Sequence, residues 1–350
     1  MPRRSKRHQR RQRNDPPLTL QEEGNEPRPL EEYILVWGGQ RLIVAGFTSG
    51  GAPHGATIEE FRTSSELSHA RAGWARAKAA IRALAELQNE GSSVEVGWVT
   101  RLDQGLYRAA YAADLHVDPD PYDMSGRVVA LVPEQPMDVA EELRWLARLQ
   151  QVDAPFRAPK PIGATSDGIL VQSFVPGMPG RGDRWRYCLS AAAFLHGLPF
   201  EFESDRMAKA VASLEAVGSS SSPLIRDVHA WCQENLPAGP LVLTHGDLLP
   251  QNLLFGLHDE VAVIDWQFAG PGDPAADLAV LTRGVRRPFR LSDGLDKIVD
   301  TYMELGGVEV TVRDVLFHEL TMVASWVASS KDQHHVDRLR SCLARASSAA

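Results

Sequence analysis

The sequence predicts an α+β chain of two lobes, a small antiparallel sheet followed by a larger helical part. Three observations carry that prediction. β-rich runs crowd the stretch 94–174, with a single amphipathic helix among them. Beyond a Pro- and Gly-rich break, "VPGMPG" at 175–180, the chain is mostly helical. At 350 residues and 43% hydrophobic content, it is long enough to bury a sizeable core.

The elements follow in order. Residues 1–30 are polar, charged and proline-containing, and read as disordered. "YILVWGGQRLIVAGFT" gives two β-rich runs around Gly38–Gly39, a hairpin signal. "SGGAPHG" is glycine-rich but lacks the Lys-Ser/Thr ending of a phosphate-binding loop, so it reads as a turn or loop. The alanine-rich segment 65–89 reads as a helix, with Leu67, Trp74, Ile81 and Leu84 near one face. Residues 31–92 thus form an N-terminal extension of hairpin plus helix. From Val94, "VEVGWVT" and "LYRAAYAADLHV" read as strands around "RLDQG", and "GRVVALVP" as another after the "DPDPYDMSG" turn. A helix at 137–150 follows, its apolar face set by Val139, Leu143, Leu146 and Leu149, and then the buried-strand run "GILVQSF". The small lobe is expected over 93–172 and the helical lobe over 173–350.

Charge and cysteines narrow the function classes. The formal net charge is −8, but seven Lys or Arg lie in residues 1–14; without them 30 basic residues face 45 acidic ones, a net −15. Such a body is not shaped for nucleic acid, which needs clustered cations. The tail reads as a solvated arm, with contact to RNA or an anionic surface as the other reading. No apolar run nears the roughly 20 residues that cross a bilayer, and the basic N-terminus has no apolar core of a secretory signal. Three widely spaced cysteines, Cys188, Cys232 and Cys342, argue against a disulfide framework or a thiolate metal site, and for a cytoplasmic setting.

The chemistry concentrates in "THGDLLPQNLLFGLHDEVAVIDW", residues 244–266. "LVLTH" is a short strand ending at Gly246–Asp247, and "VAVID" a second ending at Asp265. "NLLF" and "VAVI" flank the turn "GLHDE" and can pair as a hairpin, bringing Asn252 and Asp265 together at its base. An amide oxygen and a carboxylate there suit a hard cation such as Mg²⁺. Asp247, five residues before Asn252, is placed to lie across the same cleft as a proton acceptor. Downstream, "GDPAADLA" starts a helix with Asp273 as N-cap, Pro274 in the first position and Asp277 in the first turn, which points to structural support of the site.

"HGDLLPQN" followed by "VIDW" resembles the aminoglycoside phosphotransferase and choline kinase family, built on the protein-kinase-like fold. "GPGDPAADLAVL", "FLHGLP" at 194–199 and the element order from about 94 to 177 extend the resemblance over roughly 94–345. It implies a phosphoryl transfer from ATP or GTP to a hydroxyl of a small molecule. Asp247 would be the catalytic base, Asn252 and Asp265 would hold Mg²⁺, and His245 would brace the loop. Backbone groups of Gln172, Ser173 and Phe174 would meet the nucleotide base, with Leu254 and Ile264 as apolar contacts below it. Gly105 would belong to the phosphate loop.

The pattern departs from the family at one position. The resemblance implies a lysine, or in some relatives an arginine, from the small lobe that grips the α- and β-phosphates and pairs with a glutamate of the following helix, here Glu142 or its neighbour Glu141. The position falls on Leu131, and no residue from Val128 to Pro133 is basic. Arg101 or Arg108 is a possible replacement; the alternative is a nucleotide-binding pseudokinase or regulatory module. A further feature is "LTRGVRRPFR", with Arg283, Arg286, Arg287 and Arg290, read as a solvated loop or as an entry for an anionic acceptor.

Overall fold

The computed structural model describes residues 34–37, 40–47, 53–57, 65–104, 108–180, 184–217, 222–256, 260–283, 294–330 and 332–348. The basic tail, the Gly38–Gly39 turn, most of the "SGGAPHG" loop, Gly105, Arg286, Arg287, Arg290 and the side chain of Arg283 lie outside them.

The small lobe forms as its alternation demands. β1 (Ile34–Trp37) and β2 (Gln40–Phe47) pair antiparallel with Trp37 opposite Gln40, the register of a two-residue hairpin, and β3 (Pro53–Thr57) pairs with β2. A second antiparallel sheet contains β4 (Ser93–Val96), β5 (Thr100–Gln104), β6 (Arg108–Asp118), β7 (Gly126–Pro133), β8 (Pro161–Ala164) and β9 (Leu170–Ser173). Its order is β4-β6-β7-β9-β8, with β5 also on β6. The run expected as one strand, "VEVGWVT", breaks between β4 and β5 at Gly97, whose N–H still reaches the Asp114 carbonyl at 2.8 Å.

Alternation along these strands divides their side chains between two cores. Tyr111, Ala113, Leu115, Val117, Val128, Ala130 and Val132 share one core with Ala77, Ile81, Leu84 and Ala85 of α1 (Ser65–Gln88). The helix of the expected extension is therefore packed into the small lobe. Trp74 lies half-buried against the same core, and the Leu67 side chain is outside the described residues. Leu131, on the opposite face of β7, packs instead with the second core. There α2 (Ala140–Leu149) buries Trp145, Leu146 and Leu149, with Glu141 and Glu142 in its first turn, where the helix dipole favours them.

The larger lobe comprises α3 (Trp185–His196), α4 (Arg206–Val217), α5 (Pro223–Glu234), α6 (Pro274–Arg283), α7 (Leu295–Glu304), α8 (Val312–Ser329) and α9 (Gln333–Ser348). α8 packs against α4, α5, α6, α7 and α9 and buries Leu316, Phe317, Leu320 and Val323. Thr311 caps it reciprocally with Asp314, a capping box. The three cysteines are buried and unbridged. Among the described residues, no helix is long and apolar enough to cross a membrane.

Two small strand sets interrupt the helices and carry the site. β10 (Met178–Pro179), β12 (Leu253–Phe255) and β13 (Val261–Val263) form one; β11 (Val242–Thr244) and β14 (Gly270–Gly272) form the other.

Candidate active site

β11 delivers a fully buried strand, Val242–Thr244, directly into His245, Gly246 and Asp247. Gly246 has φ +79°, and a Cβ there would lie 2.6 Å from the Phe268 carbonyl oxygen. Only glycine meets both demands. Its N–H donates to Asp277 Oδ1 at 2.7 Å, and the His245 N–H donates to Asp277 Oδ2 at 2.8 Å. The first-turn carboxylate of α6 thus holds the loop by two backbone bonds.

The His245 ring is oriented at both nitrogens. Nδ1 lies 3.2 Å from the Asp247 N–H and Nε2 lies 3.1 Å from the Ile264 carbonyl, so Nδ1 accepts and Nε2 donates. Burial pushes its pKa below the usual histidine value, against the pull of Asp277 and Asp265, which agrees with a neutral ring. The ring also packs 4.6 Å from that of Trp266. His245 joins the loop carrying Asp247 to the strand leading into Asp265.

Beyond Asp247 a single 3-10 turn, Pro250–Asn252, feeds β12. Asn252 Nδ2 donates to both the Asp247 carbonyl (2.8 Å) and Asp247 Oδ2 (3.0 Å). The expected hairpin is present: Leu253 pairs with Val263, and the Ile264 N–H extends the ladder to the Asn252 carbonyl at 2.9 Å. Asp265 follows at once with φ +67°, a left-handed backbone that a non-glycine residue seldom adopts. Its side chain is about one-third exposed. With its amide nitrogen spent on Asp247, Asn252 has its oxygen left to offer beside this carboxylate. An oxygen-only donor pair of this kind fits a hard cation that keeps water or phosphate for its other positions.

The small lobe contributes an ion-pair network. Arg108, at the start of β6, grips Glu142 of α2 through both terminal nitrogens, at 2.6 and 3.1 Å. Its second terminal nitrogen also lies 3.4 Å from Asp265 Oδ1. Arg108 and Glu142 are about 95% removed from solvent. Glu142, not Glu141, is the partner; Glu141 is exposed and pairs with Arg144.

The other expected contacts are placed as follows. The Ser173 N–H donates to the Lys160 carbonyl and the Phe174 N–H to the Arg127 carbonyl, both at 2.8 Å. Those two donors are engaged, so a base at this strand end would meet carbonyls or the N–H groups beyond. Leu254 and Ile264 are half-buried on the hairpin that carries Asn252 and Asp265. A cleft of about 380 Å³ is lined by Val152, Phe156, Arg157, Ser173, Phe174 and Val175 among others; Asp247, Asn252, Leu254 and Asp265 do not border it.

Behind the loop lies a second buried polar layer. His196 reaches Asp277 Oδ2 at 3.2 Å and the Tyr302 hydroxyl at 2.7 Å. Asp273 accepts two bonds from Arg206 at 2.9 Å, caps the Ala275 N–H at 2.8 Å, and lies 3.2 Å from His318. The helix-start motif signals the two aspartates. Their partners come from distant segments; His196 lies in the "FLHGLP" motif, whereas Arg206 and His318 carry no local signal.

A model described as the phosphotransferase enzyme family matches residues 122–304, slightly more than half of the chain. Among curated proteins, none matches in sequence. The ADP-bound aminoglycoside phosphotransferase APH(2'')-Ib is a structural neighbour at TM-score 0.51 and 14% identity, the match covering 75% of this chain and 96% of that one. Choline kinase LicA from Streptococcus pneumoniae aligns at TM-score 0.50 and 15% identity, over 72% and 95% of the two chains. The macrolide 2'-phosphotransferase MphH from Brachybacterium faecium aligns at TM-score 0.49 and 22% identity, over 75% and 97%. The two-lobed architecture is the kinase-like fold of the first two.

Proposed function

Because this chain belongs to the phosphotransferase enzyme family, a family of small-molecule kinases, we propose that it transfers the γ-phosphoryl group of ATP to a hydroxyl of a small molecule. The observation that carries the reading is the Asn252 amide, which ties the Asp247 carboxylate to the base of the hairpin ending in Asp265. A proton acceptor and a pair of metal-oxygen donors are thereby held on one rigid loop, which is the positioning that phosphoryl transfer requires.

Asp247 accepts the proton of the acceptor hydroxyl as its oxygen attacks the γ-phosphorus. The bond from that phosphorus to the β,γ-bridging oxygen breaks, and ADP leaves. Asn252 and Asp265 would hold Mg²⁺, which would supply charge neutralisation at the phosphate oxygens. Gln172, Ser173 and Phe174 form the strand end facing the base, and Leu254 and Ile264 its apolar floor. The solved relative bound to ADP supports adenine nucleotide as donor. The pseudokinase alternative rests on the missing lysine, and the buried Arg108–Glu142 pair weakens that ground.

Steady-state turnover tests the assignment. Asp247→Ala and Asp247→Asn are expected to lower kcat by about 10²–10⁴-fold, the usual contribution of a general base, with an unchanged melting curve. Wild-type turnover in Asp247→Ala would overturn the role.

A further inference from the structure

We infer that Arg108 is this enzyme's clamp on the α- and β-phosphates of the nucleotide, delivered from β6 in place of a lysine on β7. The inference rests on the nucleotide-dependent reading above and names the residue on which its phosphate grip depends.

Strand register carries the first part of the argument. Ala110 stands opposite Leu131, and Arg108 opposite Pro133. Side chains of Tyr111, Ala113, Val128 and Ala130 face the α1 core, so alternation turns Arg108, Ala110, Val129 and Leu131 to the other face. Arg108 is the diagonal neighbour of Leu131, about 7–8 Å away between backbones. A long arginine stem covers that distance and arrives at the position from which a shorter lysine on β7 would act.

The second part is what the guanidinium touches. It binds Glu142 bidentately, as the missing lysine would pair with that helix glutamate, and also approaches Asp265 at the metal-binding end of the hairpin. A fork of five donors accommodates a carboxylate on one edge and phosphate oxygens on another, which an ammonium serves only as a point charge. A desolvated ion pair is by itself a weak source of stability. Its position between α2 and the hairpin gives it a use that stability does not.

The experiment separates phosphate recognition from folding. Arg108→Met is combined with Glu142→Gln so that no unpaired charge is left buried. Affinities for ADP with Mg²⁺ and for adenosine are then measured by calorimetry, alongside melting curves. The expected result is an ADP affinity reduced about 10- to 100-fold, the scale of charge-assisted hydrogen bonds, with adenosine affinity unchanged. Leu131→Lys added to Arg108→Met, with Glu142 intact, is expected to recover part of the ADP affinity. Equal ADP affinity in the wild type and the Arg108→Met/Glu142→Gln variant overturns the clamp, as does parallel loss of ADP and adenosine binding. A wild-type chain that binds no ADP overturns the nucleotide reading, and the clamp with it.

Discussion

Asp265 combines a left-handed backbone, a part-exposed carboxylate and a contact to Arg108 within one residue. Strain of this kind costs on the order of 1–3 kcal/mol and persists where the surroundings enforce it. Here the hairpin ladder and the His245–Ile264 bond do so. Asp265→Ala is expected to abolish the magnesium dependence of ATP affinity, because it removes the only charged oxygen of the donor pair. Asn252→Ala is expected to lose less, since water replaces a neutral amide oxygen. ATP affinity with and without Mg²⁺ checks both, and unchanged magnesium dependence in the two variants would move the metal site elsewhere. The bonding of Asn252 to Asp247 and the hairpin that ends at Asp265 were legible in the sequence because both depend on short local spacing. Arg108 was legible only as one of two candidates. Its pairing with Glu142 depends on the register of β6 on β7 and the reach of a side chain across it, neither of which local spacing encodes.

At the scale of elements, α6 braces the His245–Asp247 loop through its first turn. Pro274 opens the helix, Asp273 caps Ala275, and Asp277 accepts the His245 and Gly246 N–H groups. Asp277→Ala would leave two buried backbone donors and His196 without their acceptor. Losing one partner of a buried charged network costs about 3–5 kcal/mol, so a fall of several degrees in Tm is expected, together with a reduced kcat. Equilibrium unfolding in urea measures the first; a loss below 1 kcal/mol would mean that another group holds the loop. The helix start was readable from Asp-Pro and its first-turn carboxylate, and so were β6, β7, β9 and the 253–263 hairpin from their apolar runs. β14 was not, because Gly270-Pro271-Gly272 reads as a turn and becomes a strand only through pairing with β11. β8 and β10 were missed for a similar reason: each is short and contains proline, and its partner strand defines it.

Across the whole molecule, the buried charges that organise the site also set how stability depends on pH. Burial works to raise the Asp273 carboxyl, but hydrogen bonds and charge from His318 and Arg206 outweigh it and hold the pKa at about 2, against 3.8 for the free group. Asp277 is lowered too, burial again being overcome, here by His196 and His245. Both carboxylates therefore stabilise the fold fully above about pH 4 and lose that contribution as pH falls below it, Asp273 as pH approaches about 2. His245 acts in the same direction over a higher range. Burial depresses its pKa, so the unfolded chain takes up a proton first and stability declines as pH drops below about 6.5. Glu142 runs the other way, since burial raises its pKa even against Arg108, and its burden grows as pH rises above the usual glutamate value. The carboxylates and His245 are three groups against one, so the acid limb is expected to dominate: Tm should fall modestly from pH 7 to 5 and steeply from pH 4 to 3. The lowering of the Asp273 pKa alone corresponds to roughly 2 kcal/mol. Asp273→Asn is expected to be less stable at pH 7 and to show a shallower decline below pH 4, because the titrating group is gone. Melting curves from pH 7 to 3 on both proteins decide the matter, and parallel slopes below pH 4 would mean that Asp273 does not drive the acid transition.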